Sequence, residues 1–261
     1  MIKKNETVLI TGASEGIGLE FTKIFAENGY DLILISRNSE KLNNLKSEIN
    51  LKFDSHITIF SKDLSNINVL SELNSCLSRD ETQIDILINN AGSGVFGEFS
   101  QTDFKKELDM INVNITALTY LTKIVLRKML KSKKGKILNV ASTAAFKPGP
   151  MMAVYYATKS YVMSFSKAIA VETRDTGIDI SVLCPGPTKT DFLAKASENK
   201  IHTVKFNKSA AAHDVALYGY NAIMKNKAVA IPGITNKLLV FISKFIPEKI
   251  ISIIIYTVKK K

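Results

Sequence analysis

The chain has 261 residues, 46% of them hydrophobic, which suits one α/β domain with a sizeable core, since single domains of this class routinely run to about 250 residues. Its 35 basic against 24 acidic residues give a formal net charge of +11, but the positive charges are scattered and the only dense run is Lys259-Lys260-Lys261. A solvated basic surface is therefore expected, and a nucleic-acid partner is not. Cys76 and Cys184 lie far apart with no CxxC or His-rich neighbourhood, so neither a disulfide framework nor a metal site is expected. A cytoplasmic setting follows as the default. Met1 to Glu6 leave no room for a signal peptide before the first apolar run, so secretion is not expected either.

Short runs rich in branched residues alternate with longer helical patterns along the chain. Strands are predicted at Thr7–Ile10, Asp31–Ser36, Ile57–Phe60, Ile84–Asn89, Lys136–Val140, Ile178–Leu183 and Val229–Ile231. Seven strands separated by segments long enough for crossover helices imply a doubly wound α/β fold, with a mostly parallel sheet covered on both faces.

Directly after the first strand, Thr11-Gly12-Ala13-Ser14-Glu15-Gly16-Ile17-Gly18 opens an amphipathic helical pattern. Glycines there let bare backbone turn tightly, approach a pyrophosphate and present the positive end of a helix dipole to it. The spacing is Gly-x3-Gly-x-Gly rather than the commoner Gly-x-Gly-x2-Gly, so a plain glycine-rich turn stands beside the dinucleotide reading. Other unusual residues follow later strands: Arg37 the second, Asp63 the third, Asn90-Ala91-Gly92 the fourth, Ser142 the fifth and Pro185-Gly186 the sixth. All would gather at the carboxyl edge of the sheet, where open α/β folds bind ligands.

Residues 151 to 170 read as the start of a long helix. Tyr155 and Lys159, four apart, share one face of it. A nearby ammonium favours the phenolate and lowers the tyrosine pKa from about 10, which makes the pair a candidate general acid/base. Tyr156, three residues from Lys159, faces it almost as well, so spacing leaves the two tyrosines open. Ser142 ends a buried strand, where its hydroxyl either bonds a substrate oxygen next to the phenol or initiates the following loop.

In these motifs the chain resembles the short-chain dehydrogenase/reductase family. The family's TGxxxGIG turn is matched by Thr11 to Gly18, its NNAG segment by Asn89-Asn90-Ala91-Gly92, its YxxxK by Tyr155 and Lys159, and its serine by Ser142, thirteen residues before Tyr155. The resemblance spans roughly residues 5 to 235. It implies a Rossmann-type fold and an oxidoreductase that moves hydride between a nicotinamide dinucleotide and a carbonyl or alcohol. It selects Tyr155 over Tyr156, leaving Tyr156 to pack or to line the substrate cleft. By the same resemblance Tyr155 protonates the carbonyl oxygen, Ser142 holds that oxygen, and Lys159 binds the nicotinamide ribose and lowers the tyrosine pKa. Asn114, preferred over Asn112, supports a proton-relay water.

The resemblance also implies dinucleotide contacts from Gly12, Ser14, Gly16, Ile17, Gly18, Asn90, Ala91 and Gly92. Asp63 and Leu64 would meet the adenine, although Asp63 could equally cap the following helix. Pro185, Gly186, Thr188 and Thr190 would meet the nicotinamide end, and residues from about 189 to 210 would form a mobile lid. Family members are usually dimers or tetramers, so a homodimer or homotetramer is expected. An NAD site usually carries an acidic residue after the second strand, whereas Leu34-Ile35-Ser36-Arg37-Asn38 offers a guanidinium suited to a 2′-phosphate. NADP(H) is thus expected over NAD(H), with Glu15 in the glycine turn counting against it. His202 and His213 lack spacing partners and read as surface or helix-cap residues.

The expected catalytic domain covers residues 1–237, followed by an apolar extension over 238–261. Leu238 to Ile246 and Ile250 to Val258 each fall short of the roughly 20 apolar residues that span a bilayer. The extension forms a subunit interface, a cover over an apolar cleft, or an interfacial anchor with Lys259 to Lys261 at anionic headgroups. All three suit a hydrophobic small-molecule substrate, and relatives with similar PG segments reduce acyl or steroid ketones. The rival readings are a dinucleotide-binding sensor or scaffold without turnover, a different reaction on the same fold such as epimerisation or dehydration of a sugar nucleotide, and a peripheral membrane protein that docks through its tail.

Overall fold

The structure, a computed structural model, describes residues 6–79, 83–198 and 209–260. Strand and helix alternate from the start: β1 (Thr7–Thr11), α1 (Gly16–Glu27), β2 (Asp31–Ser36), α2 (Ser39–Asn50), β3 (Ile57–Ser61), α3 (Asn68–Arg79) and β4 (Ile86–Asn89). The second half continues with α4 (Phe104–Ile111), α5 (Leu118–Ser132), β5 (Gly135–Val140), α6 (Ala153–Glu172) and β6 (Ile178–Leu183). After it come β7 (Thr188–Lys189), α7 (Phe192–Ala196), β8 (Ala210–Ala211), α8 (Ala212–Met224), β9 (Val229–Ala230), α9 (Ile234–Ser243) and α10 (Glu248–Lys260).

Among the described residues, seven strands form one sheet in the order β3-β2-β1-β4-β5-β6-β9, and every pairing in it is parallel. The chain runs outward from β1 to β3, then returns to β4 on the other side of β1. That reversal opens a crevice beyond the carboxyl ends of β1 and β4, the topological switch point of a doubly wound sheet. The expected α/β architecture is therefore present. The fourth strand begins at Ile86 rather than Ile84, the seventh is only two residues long, and the small parallel pair β7-β8 was not anticipated.

Alternation along β1 divides the core. Val8 and Ile10 face the layer of α1, α2 and α8, where they join Phe21, Phe25, Leu42 and Ile223. Leu9 faces the opposite layer with Leu73, Val125, Met129 and Ile169. Both faces of the strands are buried, which is why their sequences read as unbroken apolar runs. Each such side chain contributes on the order of 1.5–3 kcal/mol by leaving water, so the sheet is rigid enough to hold polar groups at its carboxyl edge.

The expected lid is only partly visible: residues 199–208, with His202, lie outside the described residues, as do Met1–Asn5 and Lys261. His213 is exposed at the start of α8, its Nδ1 3.1 Å from Glu20 Oε2.

Candidate active site

The glycine turn joins β1 to α1 in backbone shapes that side chains oppose. Gly12 has φ +65° and Gly16 φ +53°, both in the left-handed region. A Cβ on Gly12 would stand 2.9 Å from Asn90 Nδ2, and one on Gly18 would run into the Gly12 carbonyl oxygen. Helix α1 starts at Gly16, and the side chain of Glu15 at its N-cap accepts no capping hydrogen bond, so the helix opens onto bare backbone N–H groups. A pyrophosphate fits such a cradle. Ile17, in the first turn, packs at the edge of the core.

Asn90 fixes this turn from the neighbouring strand end. Its Nδ2 donates to the Thr11 and Gly12 carbonyl oxygens at 3.1 and 3.3 Å, and the Asn90 and Ala91 backbone N–H groups donate to Thr11 Oγ1, both at 3.0 Å. Ser14 Oγ lies 2.6 Å from Ser36 Oγ, which ties the turn to the end of β2 immediately before the exposed Arg37. Glu15, the residue that counted against a phosphate here, is engaged by two lysines: Lys41 Nζ at 2.5 Å and Lys195 of α7. These partners hold its carboxyl below the usual glutamate range, Lys195 most strongly. Asp63 Oδ1 accepts from the Ser65 backbone N–H at 3.0 Å and from Ser65 Oγ at 2.9 Å, closing the turn toward α3, while Leu64 is buried.

Between α4 and α5 the helix widens into a π-helical stretch over Asn112–Ala117. Such bulges commonly re-aim a side chain. Asn114, almost fully buried, is aimed here at the end of β4: its Nδ2 donates to the Ser93 carbonyl oxygen and to Thr158 Oγ1, both at 3.0 Å, and its Oδ1 accepts from the Ser93 N–H at 3.0 Å. Asn112 instead donates to the Ser65 carbonyl oxygen at 3.0 Å, well away from this cluster's partners. A Cβ on Gly92 would lie 3.3 Å from both Asn114 Oδ1 and Lys159 Nζ, so these three residues meet.

Helix α6 presents Tyr155 and Lys159 to the same crevice. Lys159 is buried and donates to the Val140 carbonyl oxygen at 2.9 Å, with its Nζ 5.8 Å from the centre of the Tyr155 ring. Burial pulls the Lys159 pKa from 10.5 down to about 8. Burial pushes the Tyr155 phenol up to about 12, with the Ser142 hydroxyl opposing. The expectation that Lys159 lowers the tyrosine pKa is thus corrected: the ammonium is turned to a backbone carbonyl, and desolvation of the phenol dominates.

Ser142 accepts from the Ala144 N–H at 3.1 Å and donates to the Pro185 carbonyl oxygen at 3.4 Å, so it both starts the loop and faces the segment after β6. In that segment, Gly186 passes so close to Asn236 that a Cβ would lie 2.6 Å from its Nδ2. Thr188 Oγ1 donates to the Gly186 carbonyl oxygen at 3.0 Å, and the methyl of Thr190 abuts Gly16 of the glycine turn.

Three features at the site were missed in the sequence. Phe192 packs its ring 5.3 Å from that of Tyr155, and α7 latches to the glycine turn through Lys195 and Glu15. Thr158, three residues after Tyr155 on α6, accepts from Asn114 Nδ2 and anchors that side chain. Lys259, which one of the three readings of the tail placed at anionic headgroups, is folded inward: its Nζ lies 4.4 Å above the Tyr156 ring and 3.3 Å from both the Tyr156 hydroxyl and the Pro150 carbonyl oxygen. Only the adjacency of Phe192 to the Pro185-Gly186 segment offered a signal for any of these.

Comparison with known proteins gives a consistent picture. A family model described as short chain dehydrogenase matches residues 6–201. The 17-beta-hydroxysteroid dehydrogenase type 3 of Mus musculus is 36% identical over 196 residues, covering 74% of this chain and 63% of that protein. The very-long-chain 3-oxoacyl-CoA reductase of Homo sapiens is 32% identical over 214 residues, covering 78% of this chain and 67% of that protein. The chain therefore spans less than two thirds of the mouse relative's length. Among solved structures, a short-chain dehydrogenase from Sphingobium yanoikuyae in complex with NADPH superposes with a TM-score of 0.81 at 30% identity, covering 88% of each chain.

Proposed function

The chain belongs to the short-chain dehydrogenase/reductase family, and from that premise we propose that it is an NADP(H)-dependent reductase of apolar carbonyl compounds, or in reverse a dehydrogenase of the matching alcohols. The observation that carries this reading is the convergence of Ser142, Tyr155, Lys159 and Asn114 on one crevice beside the glycine turn. A bound reduced nicotinamide supplies a hydride to the carbonyl carbon.

The chain's own residues do the rest. With its pKa near 12, Tyr155 keeps its proton at neutral pH and is a proton donor to a carbonyl oxygen in the reductive direction. Ser142, one hydroxyl away, positions that oxygen. Lys159, turned to the Val140 carbonyl oxygen beside the phenol, would hold the nicotinamide ribose, and Asn114 with Thr158 forms the polar path through which the phenol regains its proton. Gly12, Gly16 and Gly18 cradle the pyrophosphate, with Ser14, Ile17, Asn90, Ala91 and Gly92 shaping the cradle. Asp63 and Leu64 border the adenine, and Pro185, Gly186, Thr188 and Thr190 the nicotinamide end.

Preference for NADP(H) rests on Arg37, exposed at the end of β2, and on Lys41 and Lys195, which neutralise Glu15. An apolar substrate is supported by Phe192 over Tyr155 and by what the named relatives act on, steroids and long-chain 3-oxoacyl thioesters. Residues up to 237 carry this chemistry in the proposal. The extension after them exposes Leu238, Leu239, Phe241, Phe245, Ile253, Ile254 and Val258, which supports an association surface. No helix among the described residues is long and apolar enough to cross a membrane. Deleting residues 238–261 and then measuring vesicle binding and sedimentation separates a bilayer contact from a homo-oligomeric one. Free Cys76 and Cys184 suit the reducing cytoplasm.

The test is loss of reduced-nicotinamide absorbance with NADPH and NADH in parallel, against apolar ketones, aldehydes and 3-oxoacyl thioesters. Turnover with NADPH on at least one class supports the proposal. Tight NADPH binding with no turnover on any class favours a sensor instead.

A further inference from the structure

An open cavity of about 570 Å³ lies on the outer side of the catalytic helix, lined by Ala145, Phe146, Pro148, Tyr156 and the exposed Ala153 and Ala157, and bordered by Glu248 and Ser252 of α10. Its lining mixes apolar side chains with Lys147, Ser160 and Glu248, and a second ammonium, that of Lys259, is held by two of the lining residues. Lys147 reaches only a loosely placed carboxylate, Glu248 Oε1 at 3.6 Å, on a side chain 67% exposed to solvent. Lys259 has no carboxylate partner among the described residues. Its Nζ is held by Pro150 and Tyr156, which themselves line the cavity. Two of its three donors are used, and the third is available.

A partly buried ammonium without a counter-charge is costly, and burial pulls its pKa down to about 8. A ligand anion placed there offsets that cost while an apolar body fills the walls. We propose that this cavity binds an amphipathic small molecule through its anionic head, a carboxylate or phosphate, with Lys259 as the principal counter-charge and Ala153, Ala157 and Phe146 against its apolar body. The anion is either an acidic group of the substrate itself or a separate effector. Tyr156 stands between this cavity and Tyr155, its ring 6.1 Å from that of Tyr155, so either source sits next to the reacting group.

Direct binding tests this without reference to catalysis, and only the kinetic arm rests on the proposed reduction. Decanoate and 1-decanol are titrated by calorimetry into the full-length protein, its Lys259→Met variant and its Ala157→Phe variant, with thermal melts checking that each is folded. Decanoate is expected to bind the wild type with unit stoichiometry and the Lys259→Met variant at least about tenfold more weakly, while decanol binds both alike. Ala157→Phe, which fills the cavity and leaves Lys259 in place, is expected to abolish both. Decanoate that binds wild type and Lys259→Met equally, or no decanoate binding to the wild type at all, overturns the proposal. In the kinetic arm, a preference for ω-carboxylated over neutral ketones that is lost in Lys259→Met assigns the anion to the substrate. Decanoate that binds and shifts turnover of a neutral ketone without competing with it assigns the anion to an effector. If no ketone is turned over, the reduction reading fails while the binding result stands.

Discussion

Replacing Lys159 by methionine should stabilise the protein while stopping its chemistry, and the size of the effect follows from the lysine's surroundings. The ammonium is buried at the end of β5 with one backbone carbonyl as its partner, and its pKa falls from 10.5 to about 8. That drop corresponds to roughly 3 kcal/mol of destabilisation, fully present below pH 8, where both native and unfolded chains carry the charge. Methionine keeps the side-chain length and removes the cost, at the loss of about 1 kcal/mol for the hydrogen bond to Val140. A net gain of about 2 kcal/mol is expected at pH 7. Between about pH 8 and pH 10.5 the unfolded wild type binds a proton that the native form has lost, so wild-type stability rises and the variant's advantage shrinks toward zero. Lys259 titrates in the same way in both proteins and cancels in the difference. Urea unfolding at pH 7 and near pH 10 measures both points. A variant less stable than wild type at pH 7, or an advantage unchanged with pH, refutes the reasoning.

Gly18→Ala should cost several kcal/mol despite alanine's better helix propensity, because its Cβ meets the Gly12 carbonyl oxygen; a lowered melting temperature and loss of NADPH binding in a fluorescence titration check this. Asn114→Ala strands the Ser93 N–H and carbonyl groups and Thr158 Oγ1, and should lower stability by about 1–3 kcal/mol and turnover by on the order of a hundredfold, read from melts and steady-state rates. Arg37→Asp should shift the ratio of NADPH to NADH binding constants toward NADH by at least about tenfold, and an unchanged ratio removes Arg37 from the cofactor preference.

Much of this arrangement was legible because it is written in residues with few alternative uses. Buried parallel strands need apolar residues on both faces, so β1, β2, β5 and β6 announce themselves within a residue of their ends. Gly12, Gly16 and Gly18 occupy positions where a Cβ collides or a backbone is left-handed, and Ser142, Tyr155 and Lys159 hold the spacing that brings a strand end against a helix face. What stayed hidden depends on contacts distant in the chain. The π-helical turn at Asn112–Ala117 has no periodicity of its own in the sequence, and it carries Asn114, whose partner Ser93 is 21 residues away. The direction of the Lys159 ammonium depends on Val140, nineteen residues away, so spacing alone assigned it to the phenol. Lys259 looked like one of three equivalent tail lysines until α10 folded it over Tyr156.

The central claim, that the Tyr155 hydroxyl is the acid and base of a nicotinamide-dependent carbonyl reduction, is tested most directly by Tyr155→Phe. The substitution deletes one oxygen and leaves the ring against Phe192 and Tyr156. The account predicts NADPH binding within about threefold of wild type and ketone reduction slowed by roughly 10²–10⁴-fold. A variant that binds NADPH normally and reduces the same ketone at near wild-type rate would contradict it.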